Sequence, residues 1–243
     1  MSTFVLVHGA YHGAWSWQKI IPFLREKGIP VFTPTLSGLG ENSYLLSPSI
    51  DLSTHITDVA ELLKREALRD VVLVGHSYAG FVISGVAERV PERIAHLVYL
   101  DAMVPESGQC FFDVRPDLRA RVSTITFAGK SVQVLMPPSP EVFGVTDPED
   151  VAWVKPLLTP TPAACYEESL VVSEPKVHLI PKTYLLNKVQ DPGASRKSHE
   201  EAYARAQGGR WSRRMISGPH DSMITHPKQL AETLAGFNAK GEG

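Results

Sequence analysis

The chain is poor in cysteine, has no marked excess of charge of either sign and contains no long apolar run. Its 243 residues include two cysteines, Cys110 and Cys165, too few for a disulfide framework or a cysteine-based metal cluster. Two free thiols are typical of a protein of the reducing cytosol. The formal net charge of −2 excludes the strongly basic character with which proteins bind nucleic acid or anionic membranes. We therefore expect neither of those partners and no bound metal.

The absence of long apolar runs bears on the location of the protein. No window approaches the roughly 18 consecutive apolar residues of a membrane-spanning helix. The first residues, "MSTFVLVHGAYHGAW", lack the basic start and the sustained apolar stretch of a secretory signal. We expect a cytoplasmic protein whose partner is a small molecule. The sequence allows a homodimer but does not determine the oligomeric state.

Short β-branched runs alternate with longer amphipathic segments along most of the chain, a pattern typical of a parallel sheet connected by helices. Apolar residues make up 43% of the chain, enough to form a large core. Nearly continuous apolar runs favour strands that are covered on both faces. We predict an α/β fold in which a mostly parallel, six-stranded sheet has helices on both faces. The candidate strands are "TFVLV", "PVFTP", "VVLVG", "IAHLVYLD", "TYLLNK" and, as an edge strand, "WSRRMI".

A proline-rich stretch interrupts this alternation. It includes "MPPSPEVFG" and "LLTPTPAACYEE", which predict short helices and turns rather than further strand–helix units. Its apolar residues are too numerous for a disordered linker. We predict a core formed by residues 1–104 and 182–243, with residues 105–181 inserted as a helical cap. Phe143, Trp153 and Tyr166 are candidates either for the lining of an apolar substrate pocket or for the cap's own core.

One segment, "DVVLVGHSYAGFVISGVAERV", points to covalent chemistry. Ser77 follows a predicted strand and precedes a predicted helix, the setting of a nucleophile elbow, in which a strained turn presents a serine above the sheet. The G-x-S-x-G pattern of such elbows is present except that its last position is Ala79, with Gly80 following. Because small residues must flank the serine and alanine is small, we interpret Ser77 as a nucleophile rather than as part of a simple turn.

A nucleophilic serine requires a base, and His220 is the best placed of the nine histidines. It lies in the loop between the last predicted strand and the last predicted helix. In a parallel sheet this loop is at the carboxyl edge, on the same side as Ser77. His226 precedes Pro227 at the start of a helix, and the side chain of His76 is expected to point away from the serine hydroxyl.

The first predicted strand supplies a candidate oxyanion hole. "VLVHGAYHGAW" ends the strand at Gly9, where a turn can present the backbone N–H of Ala10 to the reaction centre. Together with the N–H of Tyr78 this makes two donors, the usual number for a tetrahedral oxyanion. Gly9 is either part of the substrate site or only the end of the strand.

The acid that orients the base has two candidates. In chain order it is expected after a late strand, between the serine and the histidine. "TYLLNKVQDPG" supplies Asp191, although Asp-Pro-Gly is also ordinary turn chemistry. Asp101, at the end of "IAHLVYLD", is the alternative, because a carboxylate there reaches the same edge. Either would hold the imidazole in one tautomer and stabilise its protonated form.

These segments resemble the α/β-hydrolase superfamily, and within it the branch of plant methyl esterases, hydroxynitrile lyases and their bacterial esterase relatives. The likeness covers nearly the whole chain and implies the α/β-hydrolase fold. By position it implies a nucleophile at Ser77, a base at His220 and oxyanion donors at Ala10 and Tyr78. The family's acid would fall on Gln190, so that Asp191 requires a shift of one residue.

The resemblance implies ester hydrolysis rather than cyanohydrin cleavage. The lyases of this branch carry threonine at the position of Gly9 and lysine at the position of Asp221, and departing cyanide needs a cation where this chain has an acid. We therefore expect a cofactor-independent serine hydrolase that acts on a small carboxylic ester. Two alternatives stay open: a ligand receptor with slow turnover, and an acyltransferase or a lactone or thioester hydrolase with the same triad.

Overall fold

The structure is a computed structural model that describes residues 2–172, 175–189 and 194–238. The strands are β1 (Phe4–Val7), β2 (Val31–Phe32), β3 (Val71–His76), β4 (Ile94–Leu100), β5 (Val122–Phe127), β6 (Lys130–Leu135), β7 (Thr161–Pro162), β8 (Lys182–Asn187) and β9 (Trp211–Ile216). The α-helices are α1 (Ile21–Glu26), α2 (Leu52–Arg65), α3 (Ala79–Arg89), α4 (Phe111–Val114), α5 (Pro148–Val154), α6 (Ala164–Glu167), α7 (Pro175–Leu179), α8 (Ala194–Arg205), α9 (Ser222–Thr225) and α10 (Pro227–Ala235). Short 3-10 helices cover Ala14–Trp17, Gly40–Leu45, Pro91–Arg93, Pro116–Arg121, Pro140–Phe143 and Lys155–Leu157.

The main sheet has six strands in the order β2-β1-β3-β4-β8-β9, and all of its pairs are parallel. This confirms the predicted sheet, including the edge position of the "WSRRMI" strand. Between β1 and β3 the order reverses, because the chain leaves β1 for β2 on one side and returns to β3 on the other. The carboxyl ends of strands at such a switch point form the crevice in which ligands bind in open α/β sheets.

The core lies on both faces of this sheet. Successive residues of a strand point to opposite faces, and accordingly Val5 and Val7 of β1 join one apolar cluster while Phe4 and Leu6 join the other. The first cluster contains the inner sides of α2 and α3, and the second contains those of α1 and α10. Helices therefore cover both faces, as the sequence predicts.

Within the described residues, no helix is of the length and apolar character that crossing a membrane requires.

The segment between β4 and β8 contains more regular structure than the sequence analysis predicts. Besides the short helices α4 to α7, it forms a three-stranded antiparallel sheet in the order β5-β6-β7. The prediction of helices and turns alone is therefore wrong for this part. The sequence does carry the missing signal: Phe127 pairs with Lys130, so that only Ala128 and Gly129 connect β5 to β6. Both have positive φ, 47° and 75°, the geometry that favours two-residue hairpins.

Candidate active site

Ser77 occupies the turn between β3 and α3. Its φ of 54° lies in the left-handed region that residues other than glycine rarely adopt. Two backbone hydrogen bonds hold the turn: Ser77 N–H donates to Leu100 O at 3.2 Å, and Met103 N–H donates to Ser77 O at 3.1 Å. The strand–turn–helix setting that the motif predicts is therefore present, and the serine is half-buried at the carboxyl edge of the sheet.

Two glycines allow this turn because other backbone segments approach them closely. A Cβ atom at Gly80 would lie 2.0 Å from the carbonyl oxygen of Met103, and one at Gly75 would lie 2.7 Å from that of Ala79. Ala79 itself is fully buried without such a conflict. The position that must be glycine here is thus 80, which explains why the motif departs from G-x-S-x-G at residue 79.

His220 lies between β9 and α9, and its ring is hydrogen-bonded to Asp101. His220 Nδ1 and Asp101 Oδ2 are 2.7 Å apart, and both side chains are buried. Asp101 directly follows β4 and has a φ of 43°, and its other oxygen accepts a hydrogen bond from Asn187 N–H at 3.1 Å. The alternative acid of the sequence analysis therefore contacts the histidine. Asp191, the first choice there, lies outside the described residues.

The electrostatics of Asp101 favour its ionised form. Burial by itself raises the pKa of this carboxyl, but the electrostatic interaction with the neighbouring His199 and His220 and the hydrogen bonds from His220 and Asn187 outweigh burial. The pKa of Asp101 is consequently lower than usual. A carboxylate in this position accepts the Nδ1–H of His220 and leaves the other ring nitrogen to act as a base.

His199 is a neighbour of this pair that sequence reasoning missed. It lies on α8, its Nδ1 is 3.5 Å from Asp101 Oδ2, and its ring stacks on that of His220 at 5.1 Å between centroids. Burial lowers the pKa of His199 to about 4, although Asp101 opposes the shift. A neutral ring therefore packs against His220 near pH 7. Helical position and spacing gave no signal of this contact, because it depends on how α8 packs against the sheet.

The loop after β1 carries the candidate oxyanion donor. A Cβ atom at Gly9 would lie 3.0 Å from His76 Nδ1 and 3.1 Å from Ser77 Cβ, so glycine allows this loop to approach the serine closely. Among the described residues, the backbone N–H groups of Ala10 and Tyr78 have no intramolecular acceptor. Both N–H groups remain available for a ligand oxygen, which is what an oxyanion hole requires.

A second histidine–aspartate pair, His12 and Asp221, contacts the same loop. His12 Nδ1–H donates to Ala10 O at 2.7 Å, and His12 Nε2 is 3.0 Å from Asp221 Oδ2. Asp221 is fully buried. The sequence analysis used Asp221 only as an argument against a lyase and did not identify its contact with His12. The pair is 209 positions apart in the chain, so no local pattern reveals it.

Ser77 and His220 line one cavity of about 90 Å³. Its walls include Phe143 and Tyr166, two of the cap residues that the sequence analysis named as candidates. The third, Trp153, does not line this cavity: it packs edge-on against Trp15 with 5.7 Å between centroids. The remaining lining residues are Ala10, Tyr11, His12, His76, Phe111, Arg115, Leu118, Arg121, Pro138 and Val142.

Two groups of three potential metal ligands overlap with this site. They are His76, His220 and Asp221, and Asp101, His199 and His220. Hydrogen bonds account for the arrangement of both groups. His220 Nδ1 is bonded to Asp101, and His76 Nε2–H donates to the carbonyl oxygen of His220 at 3.1 Å. We therefore assign these side chains to proton chemistry and positioning.

Comparison with known proteins places this geometry in context. The model of a family described as "Alpha/beta hydrolase family" matches residues 4–233. A carbendazim hydrolyzing esterase of Nocardioides sp. (strain SG-4G) is 36% identical over 97% of this chain and 99% of its own length. Methyl jasmonate esterase 1 of Vitis vinifera is 31% identical over 65% of this chain and 66% of its own. The crystal structure of a mutant of polyneuridine aldehyde esterase superposes with a TM-score of 0.81, covering 98% and 99% of the two chains at 19% identity, a likeness of fold.

Proposed function

Because the chain belongs to the alpha/beta hydrolase family, we propose that it is a serine esterase that cleaves a small carboxylic ester through an acyl-enzyme on Ser77. The observation that carries this proposal is the strained turn that presents Ser77 to the same cavity as His220, whose ring is bonded to Asp101. The esterase names of the similar proteins support it.

In the first half of the reaction Ser77 attacks the ester carbonyl carbon. His220 removes the hydroxyl proton as a general base, and Asp101 stabilises the imidazolium that forms. The N–H groups of Ala10 and Tyr78 bind the oxygen that becomes negatively charged. His220 then gives its proton to the departing alkoxide oxygen, so that the alcohol leaves and Ser77 remains acylated.

In the second half water takes the place of the alcohol. His220 removes a proton from the water as it attacks the acyl-enzyme carbonyl, and the same N–H groups bind the second oxyanion. The bond to Ser77 Oγ breaks, His220 returns the proton to Ser77, and the carboxylic acid leaves. The two half-reactions balance in atoms and charge without a redox step or a cofactor.

We also propose the cytosol as the compartment. The structure leaves both cysteines as free, buried thiols, and free thiols are typical of reducing compartments. The proposed partner is a small-molecule ester, in keeping with the small cavity.

The proposal is tested by covalent labelling of Ser77. A fluorophosphonate probe is expected to label the wild-type protein and the control variant Ser217→Ala, which changes an exposed serine, but not Ser77→Ala. Steady-state hydrolysis is then measured with p-nitrophenyl acetate, methyl esters and carbendazim. Equal labelling of Ser77→Ala would contradict the assignment of the nucleophile. A single burst of product without further turnover would favour a slow ligand receptor.

A further inference from the structure

Two arginines of the cap line the cavity that contains Ser77 and His220. Arg115 precedes the 3-10 helix Pro116–Arg121, and Arg121 ends it. The other lining side chains are aromatic, aliphatic, histidine or serine, and no carboxylate is among the described residues that line the cavity. The proposed ester hydrolysis does not use either arginine, so their position requires a separate explanation.

The two guanidinium groups differ in their partners. Arg115 is largely buried, with a side chain 13% exposed, and donates two hydrogen bonds to Asp117 at 2.9 and 2.8 Å. Arg121 is exposed, and in the described part of the chain no acidic side chain forms an ion pair with it. Asp117 thus forms an ion pair with one of the two guanidinium groups, and the other guanidinium that lines the cavity has no ion-pair partner among the described residues.

This charge acts on groups inside the cavity. Burial raises the pKa of Tyr11, and the hydrogen bond with Tyr166 and then the charges of Arg121 and Arg115 oppose that rise, while Asp117 adds to it. Burial also raises the pKa of Tyr166, and Arg115 again opposes it. Both phenols line the cavity, so the positive potential of the arginines reaches the space that a substrate would occupy.

We propose, on the basis of the esterase function above, that the preferred ester carries a second, ionised acidic group, a carboxylate, which Arg121 binds with support from Arg115. A guanidinium group matches a carboxylate in charge and in planar geometry. Arg115 is already oriented by Asp117, whereas the guanidinium of Arg121 has no hydrogen-bond or ion-pair partner among residues 2–172, 175–189 and 194–238 and can donate to a ligand. The apolar walls Phe111, Leu118 and Phe143 enclose the carbon chain that separates the carboxylate from the ester.

Matched substrates test the preference for charge. Methyl hydrogen adipate, whose carboxylate lies on the acyl side of the ester, is compared with the uncharged dimethyl adipate. 6-Acetoxyhexanoate, whose carboxylate lies on the alcohol side of the ester, is compared with the uncharged hexyl acetate. We expect kcat/KM to be about tenfold higher for the anionic member of at least one pair, as for a charge-assisted hydrogen bond. The difference is expected in KM and to shrink in high salt, because the interaction is electrostatic.

Matched variants assign the preference to Arg121. Arg121→Gln is expected to lower kcat/KM for the anionic ester about tenfold and to leave kcat/KM for the neutral ester unchanged. Arg119→Gln is the control: Arg119 belongs to the same 3-10 helix but does not line the cavity, and its guanidinium lies over the Phe112 ring at 4.7 Å. We expect Arg119→Gln to change kcat/KM for neither ester. Equal kcat/KM values for the anionic and neutral esters in the wild-type protein would overturn the proposal. So would an equal fall in kcat/KM for both esters in Arg121→Gln.

Binding to an inactive variant separates this inference from the esterase function. Titration calorimetry with Ser77→Ala measures the affinity for each ester without turnover. Tighter binding of the anionic member, lost in Ser77→Ala/Arg121→Gln, supports the arginine site even if no ester is hydrolysed by the wild-type protein. Equal affinity for the charged and neutral members refutes it even if the wild-type protein is an active esterase.

Discussion

At the scale of single residues, three of the six described non-glycine residues with positive φ lie at the candidate site. Tyr11, Ser77 and Asp101 have φ values of 68°, 54° and 43°, and each follows a strand of the main sheet at its carboxyl edge. Such conformations cost on the order of 1–3 kcal/mol each and persist where surrounding contacts impose them. In this chain they turn the backbone sharply after β1, β3 and β4, which brings an oxyanion loop, a hydroxyl and a carboxylate together.

The assignment of the acid leads to the first prediction at this scale. Asp101→Asn should lower kcat by about 10⁴-fold, because an amide cannot stabilise the imidazolium and favours the wrong tautomer of His220. The measurement is steady-state hydrolysis of the best ester found for the wild-type protein. Circular dichroism and thermal unfolding establish that the variant is folded.

Asp191→Asn is the matched control for this experiment. It makes the same chemical change at the other acid that the sequence offers, and we expect kcat within about threefold of the wild-type value, because Asp101 already holds the hydrogen bond to His220. If instead Asp191→Asn lost activity and Asp101→Asn kept it, Asp191 would be the acid and the hydrogen bond to Asp101 would be structural.

The two acids show what residue-level reasoning from the sequence can and cannot reach. Ser77 was identifiable because the elbow is local: strand, turn and helix occur within one continuous segment. The partner of His220 depends on which strand end the histidine loop reaches across the sheet, and the chain order serine–acid–histidine is satisfied by both Asp101 and Asp191. The contacts of His12 with Asp221 and of His199 with His220 are likewise tertiary and leave no trace in local spacing.

At the scale of elements, the elbow depends on how closely α3 approaches the chain after β4. The hydrogen bond from Met103 N–H to Ser77 O and the short distance from Gly80 to Met103 O belong to the same contact. The helix start and the following loop thus support the serine from two sides. Any atom added at residue 80 must separate them.

The second prediction follows from this contact. Gly80→Ala should destabilise the protein by about 1–3 kcal/mol, as for an overpacked core, and should also lower kcat, because the displaced helix start moves Ser77 and the Tyr78 N–H. Urea unfolding and steady-state kinetics measure the two effects. A Gly80→Ala variant with wild-type stability and kcat would show that the backbone at Met103 yields without consequence.

Ala79→Gly is the control, since it restores the G-x-S-x-G pattern without adding an atom. We expect a loss of stability of about 1 kcal/mol from the lower helix propensity of glycine, with kcat nearly unchanged. A gain in kcat would mean that the common pattern is better than the one present here. The structure gives no reason for such a gain, because the turn already accommodates the buried Cβ atom of Ala79.

Element prediction from sequence was accurate where a pattern was repeated and incomplete where it was not. The parallel sheet was predictable because its buried strands are continuous apolar runs. The β5–β6 hairpin of the cap is harder to predict because prolines on both sides favour turns. The partial alternation of polar and apolar residues in "VSTITF" and "KSVQVL" nevertheless fits strands with one exposed and one covered face. The connecting Ala128-Gly129 pair was the local signal.

At the scale of the whole molecule, several buried histidines make folding sensitive to acid. Burial lowers the pKa of His8 to about 3 and that of His199 to about 4. The neutral ring of His8 has a defined role: its Nδ1–H donates to Gly9 O at 2.8 Å, and its Nε2 accepts from Leu36 N–H at 3.1 Å. Protonation of Nε2 would remove the acceptor that joins the end of β1 to the loop after β2.

The third prediction concerns the free energy of unfolding between pH 7 and pH 4. The unfolded chain protonates His8 and His199 near their ordinary pKa of about 6.5, whereas the folded chain does not until about pH 3 and 4. The unfolded state therefore binds more protons below pH 6.5, and stability must fall as the pH falls. Each histidine contributes about 1.4 kcal/mol per pH unit inside its window, so these two contribute about 2–3 kcal/mol per unit near pH 5.

Urea unfolding at half-unit pH steps measures this slope, and the His8→Asn variant isolates one contribution to it. Although His8→Asn lowers stability at every pH by disturbing the bonds to Gly9 and Leu36, its slope near pH 5 should be smaller by about 1.4 kcal/mol per unit, because one proton fewer distinguishes the two states. An unchanged slope in His8→Asn would mean that the ring is protonated in the folded protein and that the hydrogen bond from Leu36 is not made in solution.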